Sequence, residues 1–128
     1  MLGFDVLYQM ARAVVNPRRL SDDADAGSVG AALLTAAGNV YTGVCIDTAC
    51  SMGFCAEHAA EAAMITHGEN QIVRAIAVGS DGSILPPCGR CREFLSQLHP
   101  DNAQAEIKVD QDTVVTLSDL LPYDWKTK

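Results

Sequence analysis

The stretch AGSVGAALLTAAGNVYTGVCI, residues 26–46, decides the fold, because two incompatible structures fit its hydropathy. No formally charged residue interrupts it, and it is long enough to cross a bilayer as a helix. Its interior argues otherwise. Gly38-Asn39 sits near the middle as a turn signal, Gly30 and Gly43 flank that turn, and Ser28, Thr35 and Thr42 dilute the apolar character. Two apolar runs, residues 29–34 and 40–46, bracket the turn as the strands of a hairpin do. The reading is a buried hairpin and no membrane segment.

The flanking sequence alternates helix and strand signals. Residues 2–15 carry Phe4, Leu7, Tyr8, Ala11, Val14 and Val15 in a helical stripe that Asn16-Pro17 ends. Residues 18–27 read as a polar connector. Residues 54–67 form an Ala-rich helix whose small side chains allow close approach to a sheet, and Gly68 stops it. A strand follows at 72–79, a turn at Asp81-Gly82, and a helix at 88–98 opened by Pro86-Pro87 and closed by Pro100. Residues 107–109 and 113–115 are short strands, 118–121 a helical turn, and Tyr123-Asp124-Trp125 an aromatic tail. This order predicts one three-layer α/β/α domain over residues 1–128.

The charge balance narrows the partners. Nine Lys and Arg against sixteen Asp and Glu give a net charge of −7. Too few cations are available to bind a nucleic acid polymer through its phosphates, whereas a pocket for one small nucleoside is compatible. The five cysteines, Cys45, Cys50, Cys55, Cys88 and Cys91, cannot all pair. Residues 1–15 lack the basic segment of a secretory signal and carry Asp5 early, so a reducing cytoplasm is expected, with the cysteines as thiols or metal ligands.

Three cysteines fall at predicted helix starts. Cys55 opens Cys55-Ala56-Glu57, and Cys88 and Cys91 belong to Pro87-Cys88-Gly89-Arg90-Cys91. A helix N-terminus favours thiolate, and the i, i+3 spacing puts Cys88 and Cys91 on one face. If the two helix starts converge, three thiolates hold one Zn²⁺ and leave a tetrahedral position open, the layout of a catalytic site. Glu57, two residues past a ligand, is then placed to move the proton of an attacking water. The three thiolates leave the ion with a formal negative charge, so the helix dipoles and His58, Arg90 or Arg92 are candidate compensators. The alternative is a closed structural zinc site with His58 as fourth ligand in a non-catalytic interaction module.

At these motifs the sequence resembles the cytidine deaminase family. The likeness runs from Val29-Gly30-Ala31-Ala32-Leu33-Leu34 through both cysteine motifs to Leu120-Leu121-Pro122. It implies a cytidine-deaminase-like α/β/α fold with a central five-stranded mixed sheet, a homotetramer with sites near subunit interfaces, and hydrolytic deamination at C4 of a cytosine ring. It also implies Zn²⁺ on Cys55, Cys88 and Cys91, with Glu57 as the proton shuttle. The run Cys88-Gly89-Arg90-Cys91-Arg92, with Leu98-His99-Pro100, is similar to the blasticidin S deaminases, which makes a modified aminopyrimidine nucleoside the alternative substrate. The family holds ribose with an Asn and a Glu shortly before the C-A-E motif; the matching positions are Cys45 and Asp47. The Arg that follows C-A-E in the family is His58 here.

The remaining candidates line the expected pocket. Phe54 is read as its floor, backbone groups near Ala56 and Pro87 as contacts to the ring edge, and Trp125 as a lid. Glu61, one helical turn past Glu57, is expected to be solvated or bonded to a neighbouring subunit. Asp22-Asp23-Asp25 is expected to be a solvated loop.

Overall fold

A computed structural model describes residues 1–127. Helix α1 spans Phe4–Val14 and is followed by strands β1 (Arg18–Ser21), β2 (Ala24–Thr35) and β3 (Val40–Thr48). Then come α2 (Ala56–Thr66), β4 (Ile72–Gly79), α3 (Gly89–Leu98), β5 (Glu106–Lys108) and β6 (Val114–Thr116). The deciding stretch is the predicted hairpin: β2 and β3 pair antiparallel, with Leu34 opposite Val40 across the Gly38 turn. Among the described residues no helix is long and apolar enough to cross a membrane.

The sheet is mixed. β4 runs antiparallel to β2 and parallel to β5, and β6 returns antiparallel to β5. The five strands β3-β2-β4-β5-β6 match the expected sheet, and β1 adds a sixth by pairing with residues 24–26 of β2. Residues 18–27, read as a connector, are therefore a hairpin. All four residues of β1 are exposed, so no apolar alternation marks it.

The alternation of β2 sorts the core into two faces. Ala32 and Leu34 pack with Leu7 and Ala11 of α1, Ile76 and Val78. Leu33 faces the other way, onto Ala60 and Met64 of α2 and Leu95 of α3. The result is the three-layer domain, with α1 on one face and α2 and α3 on the other. Gly43 on β3 is what lets α2 come so close: a Cβ there would stand 2.5 Å from the Ala60 amide nitrogen.

One polar side chain ties the α3 layer to the sheet. Asn102 is fully buried in a 3₁₀ turn, Pro100–Gln104, where the sequence shows only a helix stop. Its Oδ1 accepts the Ile72 N–H at 2.9 Å, and its Nδ2 donates to the Leu95 carbonyl at 2.9 Å and the Asn70 carbonyl at 3.1 Å.

Candidate active site

Two strand-to-helix joins meet at one end of the sheet. Phe54 pairs with Ile46 through two backbone hydrogen bonds, which fixes the chain as it turns into α2 with Cys55 at the N-cap. On the second join the Leu85 N–H donates to the Ala77 carbonyl and Val78 bridges Ile84, carrying Pro86-Pro87 to Cys88, the N-cap of α3. Arg90 and Arg92 lock the joins: Arg90 donates to the Gly53 carbonyl at 3.3 Å, and Arg92 to the Pro87 carbonyl at 2.8 Å.

The three sulfurs converge. Cys55 Sγ lies 3.3 Å from Cys88 Sγ, Cys88 Sγ lies 3.6 Å from Cys91 Sγ, and all three fall within 4.8 Å of one another. Thiolates held at about 2.3 Å around a tetrahedral ion stand roughly 3.8 Å apart. The cluster therefore fits a metal ion with little rearrangement. His58 does not join it. Its ring lies between Phe54 and Phe94, at centroid distances of 5.3 and 4.4 Å, so the set stays at three.

The thiols differ in acidity. Burial first, then the hydrogen bond with Cys88, pushes Cys55 up to about 11. Burial and the charge of Glu57 also raise Cys91. Burial acts on Cys88 too, but the backbone N–H groups of Cys91 and Arg90 and the neighbouring thiols outweigh it and lower its pKa. The first-turn amides of α3 thus stabilise negative charge on sulfur, while the two arginines donate to carbonyls.

The cluster opens into a cavity of about 400 Å³. Glu57, only 7% exposed, lines it beside Cys55 and Ala56, and burial raises its pKa. Phe54, Cys45 and Asp47 are on its wall as well. Ser28 and Arg90 complete the polar lining, and Ser28 Oγ lies 3.2 Å from Cys45 Sγ. Ser28 escaped the sequence reading as a lining residue; the β2–β3 hairpin pairing was the signal that brings it beside Cys45. A larger cavity of about 510 Å³ lies between α1 and the β4–β5 side, lined by Phe4, Tyr8, Ile84 and Lys108 among others, and it contains none of the cysteines.

Three expectations end elsewhere. Pro87 is buried behind the cavity, sharing a narrow internal space with Glu57 rather than the wall beside Cys88. Trp125 is 64% exposed on the outer side of α3, where its Nε1 donates to Glu93 at 3.3 Å. Glu61 is neither solvated nor at an outer surface: its exposure is 0%.

The chain matches no protein-family profile. It is 35% identical over 98 residues to a cytidine deaminase of Halalkalibacterium halodurans, covering 73% of this chain and 74% of that one. It is 34% identical over 97 residues to a cytidine deaminase of Mycobacterium tuberculosis, covering 74% and 70%. Among solved structures, cytidine deaminase from Mycobacterium tuberculosis superposes with a TM-score of 0.81 at 28% identity, covering 98% of each chain. The enzyme from Mycobacterium leprae gives 0.80 at 28% identity, covering 95% of this chain and 99% of that one.

Proposed function

The chain belongs to the cytidine deaminase family, and from that premise we propose that it hydrolyses the 4-amino group of a cytosine nucleoside, cytidine or deoxycytidine, to the uracil nucleoside and ammonia. The observation that carries this is the clustering of the Cys55, Cys88 and Cys91 sulfurs at a cavity that Cys55, Cys88 and Glu57 line. Zn²⁺ is the metal we assign to the three sulfurs, because a thiolate set with an open tetrahedral position suits it. When bound, zinc supplies the Lewis acidity that makes water nucleophilic at neutral pH.

The chain's own residues do the rest. Glu57 takes one proton from the attacking water and passes it to the ring nitrogen, then takes that water's second proton and gives it to the leaving amine, which departs as ammonia; its burial favours a carboxyl that accepts a proton and gives it back. Phe54 flanks the ring, and backbone groups of Ala56 and Pro86, both on the cavity wall, hold its edge. Cys45, Asp47 and Ser28 face the part of the substrate beyond the ring. Arg90 on the cavity wall, within the Cys88–Arg92 run, favours a second reading: blasticidin S or another modified aminopyrimidine nucleoside. We assign the protein to the cytoplasm, in keeping with five free thiols. A homotetramer is the proposed assembly, supported by exposed Leu20, Met52, Tyr123 and Trp125.

Ammonia release from zinc-loaded protein is to be screened over cytidine, deoxycytidine, cytosine and blasticidin S. Turnover of the first two is expected; turnover of none refutes the substrate class. Glu57→Gln is expected to keep zinc and fold while losing at least about 100-fold in rate.

A further inference from the structure

Helix α2 buries Ala56, Glu57, Ala60, Glu61 and Met64. Two of these five inward positions are carboxylic acids. Glu57 has the cavity to face. Glu61 has nothing of the kind: it is fully buried, and neither of its carboxyl oxygens has a hydrogen-bond partner. The residues beside it on the helix, Ala60 and Met64, belong to the apolar cluster that contains Leu95 and Leu117. A buried carboxyl without a partner is among the costliest groups a core can carry, and an apolar residue would complete this face.

The direction of the side chain supplies a use for it. Helical side chains lean toward the N-terminus, so Glu61 reaches back over the turn that carries Glu57. The charges that bear on it come from that same end, Glu57 first and then Cys88. Burial and those two charges push its carboxyl up to about 9, so at neutral pH it holds a proton and is a hydrogen-bond donor. Residues spaced i, i+4 are neighbours on a helix face, so the two carboxyls belong to adjacent turns of the same buried side.

We propose that Glu61 is a positioning residue for Glu57: its carboxylic O–H donates a hydrogen bond to the Glu57 carboxylate. One Glu57 oxygen is thereby held toward the core and the other is left aimed into the cavity. No covalent bond changes at Glu61, and it touches no substrate. The assignment rests on Glu57 being the carboxylate that moves the proton.

Infrared spectroscopy and kinetics test it together. The wild type should show the carbonyl band of a buried protonated carboxylic acid that Glu61→Gln removes. In Glu57→Gln that band should move to higher wavenumber, because an amide is the weaker acceptor. Glu61→Gln keeps a donor and is expected to stay within about threefold of wild-type kcat, whereas Glu61→Met should lose about 10- to 100-fold in kcat with KM within about twofold and full zinc content. A missing band, or a band that Glu57→Gln leaves in place, overturns the proposal. So does Glu61→Met with wild-type kcat, or Glu61→Gln as impaired as Glu61→Met. Failure of Glu61→Met to fold also overturns it, since the polar group would then be serving the fold. If the wild type deaminates nothing, the functional reading fails, and the infrared result still decides whether the two carboxyls pair.

Discussion

Gly43→Ala should disable the site from outside it. A Cβ at Gly43 would lie 2.5 Å from the Ala60 amide nitrogen and 2.8 Å from both the Ala56 carbonyl oxygen and the Ala59 Cβ. Two of these three obstacles are helix backbone, which cannot rotate away. Ordinary contact begins near 3.4 Å, so strand and helix must part by about 0.9 Å. Overpacking of this kind costs about 1–3 kcal/mol, and in a chain of this size each kcal/mol lowers Tm by roughly 3–5 °C. The larger effect falls on function. α2 carries Cys55 and Glu57, while Cys88 and Cys91 sit on α3, which β3 does not push. Added in full, the shift takes the Cys55–Cys88 separation from 3.3 Å to about 4.2 Å, past the roughly 3.8 Å of a tetrahedral thiolate pair by more than the about 0.2 Å that metal–ligand distances tolerate. A proton-transfer group displaced by about 1 Å loses on the order of 100-fold in rate. Elemental analysis, kcat with excess zinc and thermal melting form the assay. Weakened zinc retention and a kcat loss well beyond the stability loss are expected. Gly89→Ala is the contrast: it sits between Cys88 and Arg90, yet its Cβ meets nothing within 4 Å, so fold and zinc content should be retained. Full zinc and kcat within threefold in Gly43→Ala would refute the reasoning.

Three further outcomes are expected. Asn102→Ala strands the Ile72 N–H and the Leu95 carbonyl in the core, at about 1–3 kcal/mol each, so Tm should drop by roughly 10 °C or more; a drop under a few degrees refutes the keystone role. In metal-free protein, Glu61 binds its proton more tightly folded than unfolded, from about 4.5 to about 9. Stability should therefore fall as pH rises through that window, by up to about 1.4 kcal/mol per unit. Denaturation of wild type against Glu61→Gln checks the sign, because Glu57 contributes in the same direction to both. Chelation should make Cys88 a fast-labelling thiol alongside exposed Cys50, because Cys88 is exposed and its pKa is lowered. Mass spectrometry of alkylated protein reads this out, and labelling at Cys50 alone would count against Cys88 as a ligand.

What the sequence disclosed depended on whether a residue's role is local. The hairpin and the two cysteine motifs are patterns over a few neighbouring positions, and each of them appears where it was read. β1 was invisible because a strand exposed on every residue needs no apolar alternation; pairing with residues 24–26 holds it, and backbone hydrogen bonds leave no mark on side-chain choice. Ser28 and Asn102 act across 17 and 30 residues of chain, so only the register of β2 on β3 and the return of the chain after α3 reveal their partners. Glu61 is the instructive failure. A charged residue in an Ala-rich helix suggests a solvated face, and four of the seven residues from Glu57 to Ala63 are alanine, so periodicity gives that face no direction. The sheet sets it: Gly43 admits α2 through Ala56 and Ala60, and that contact turns both Glu57 and Glu61 inward. The same close approach that aims one carboxylate at the cavity thus forces a second one into the core, and the cost of that second burial is what marks it as a residue with work at the site.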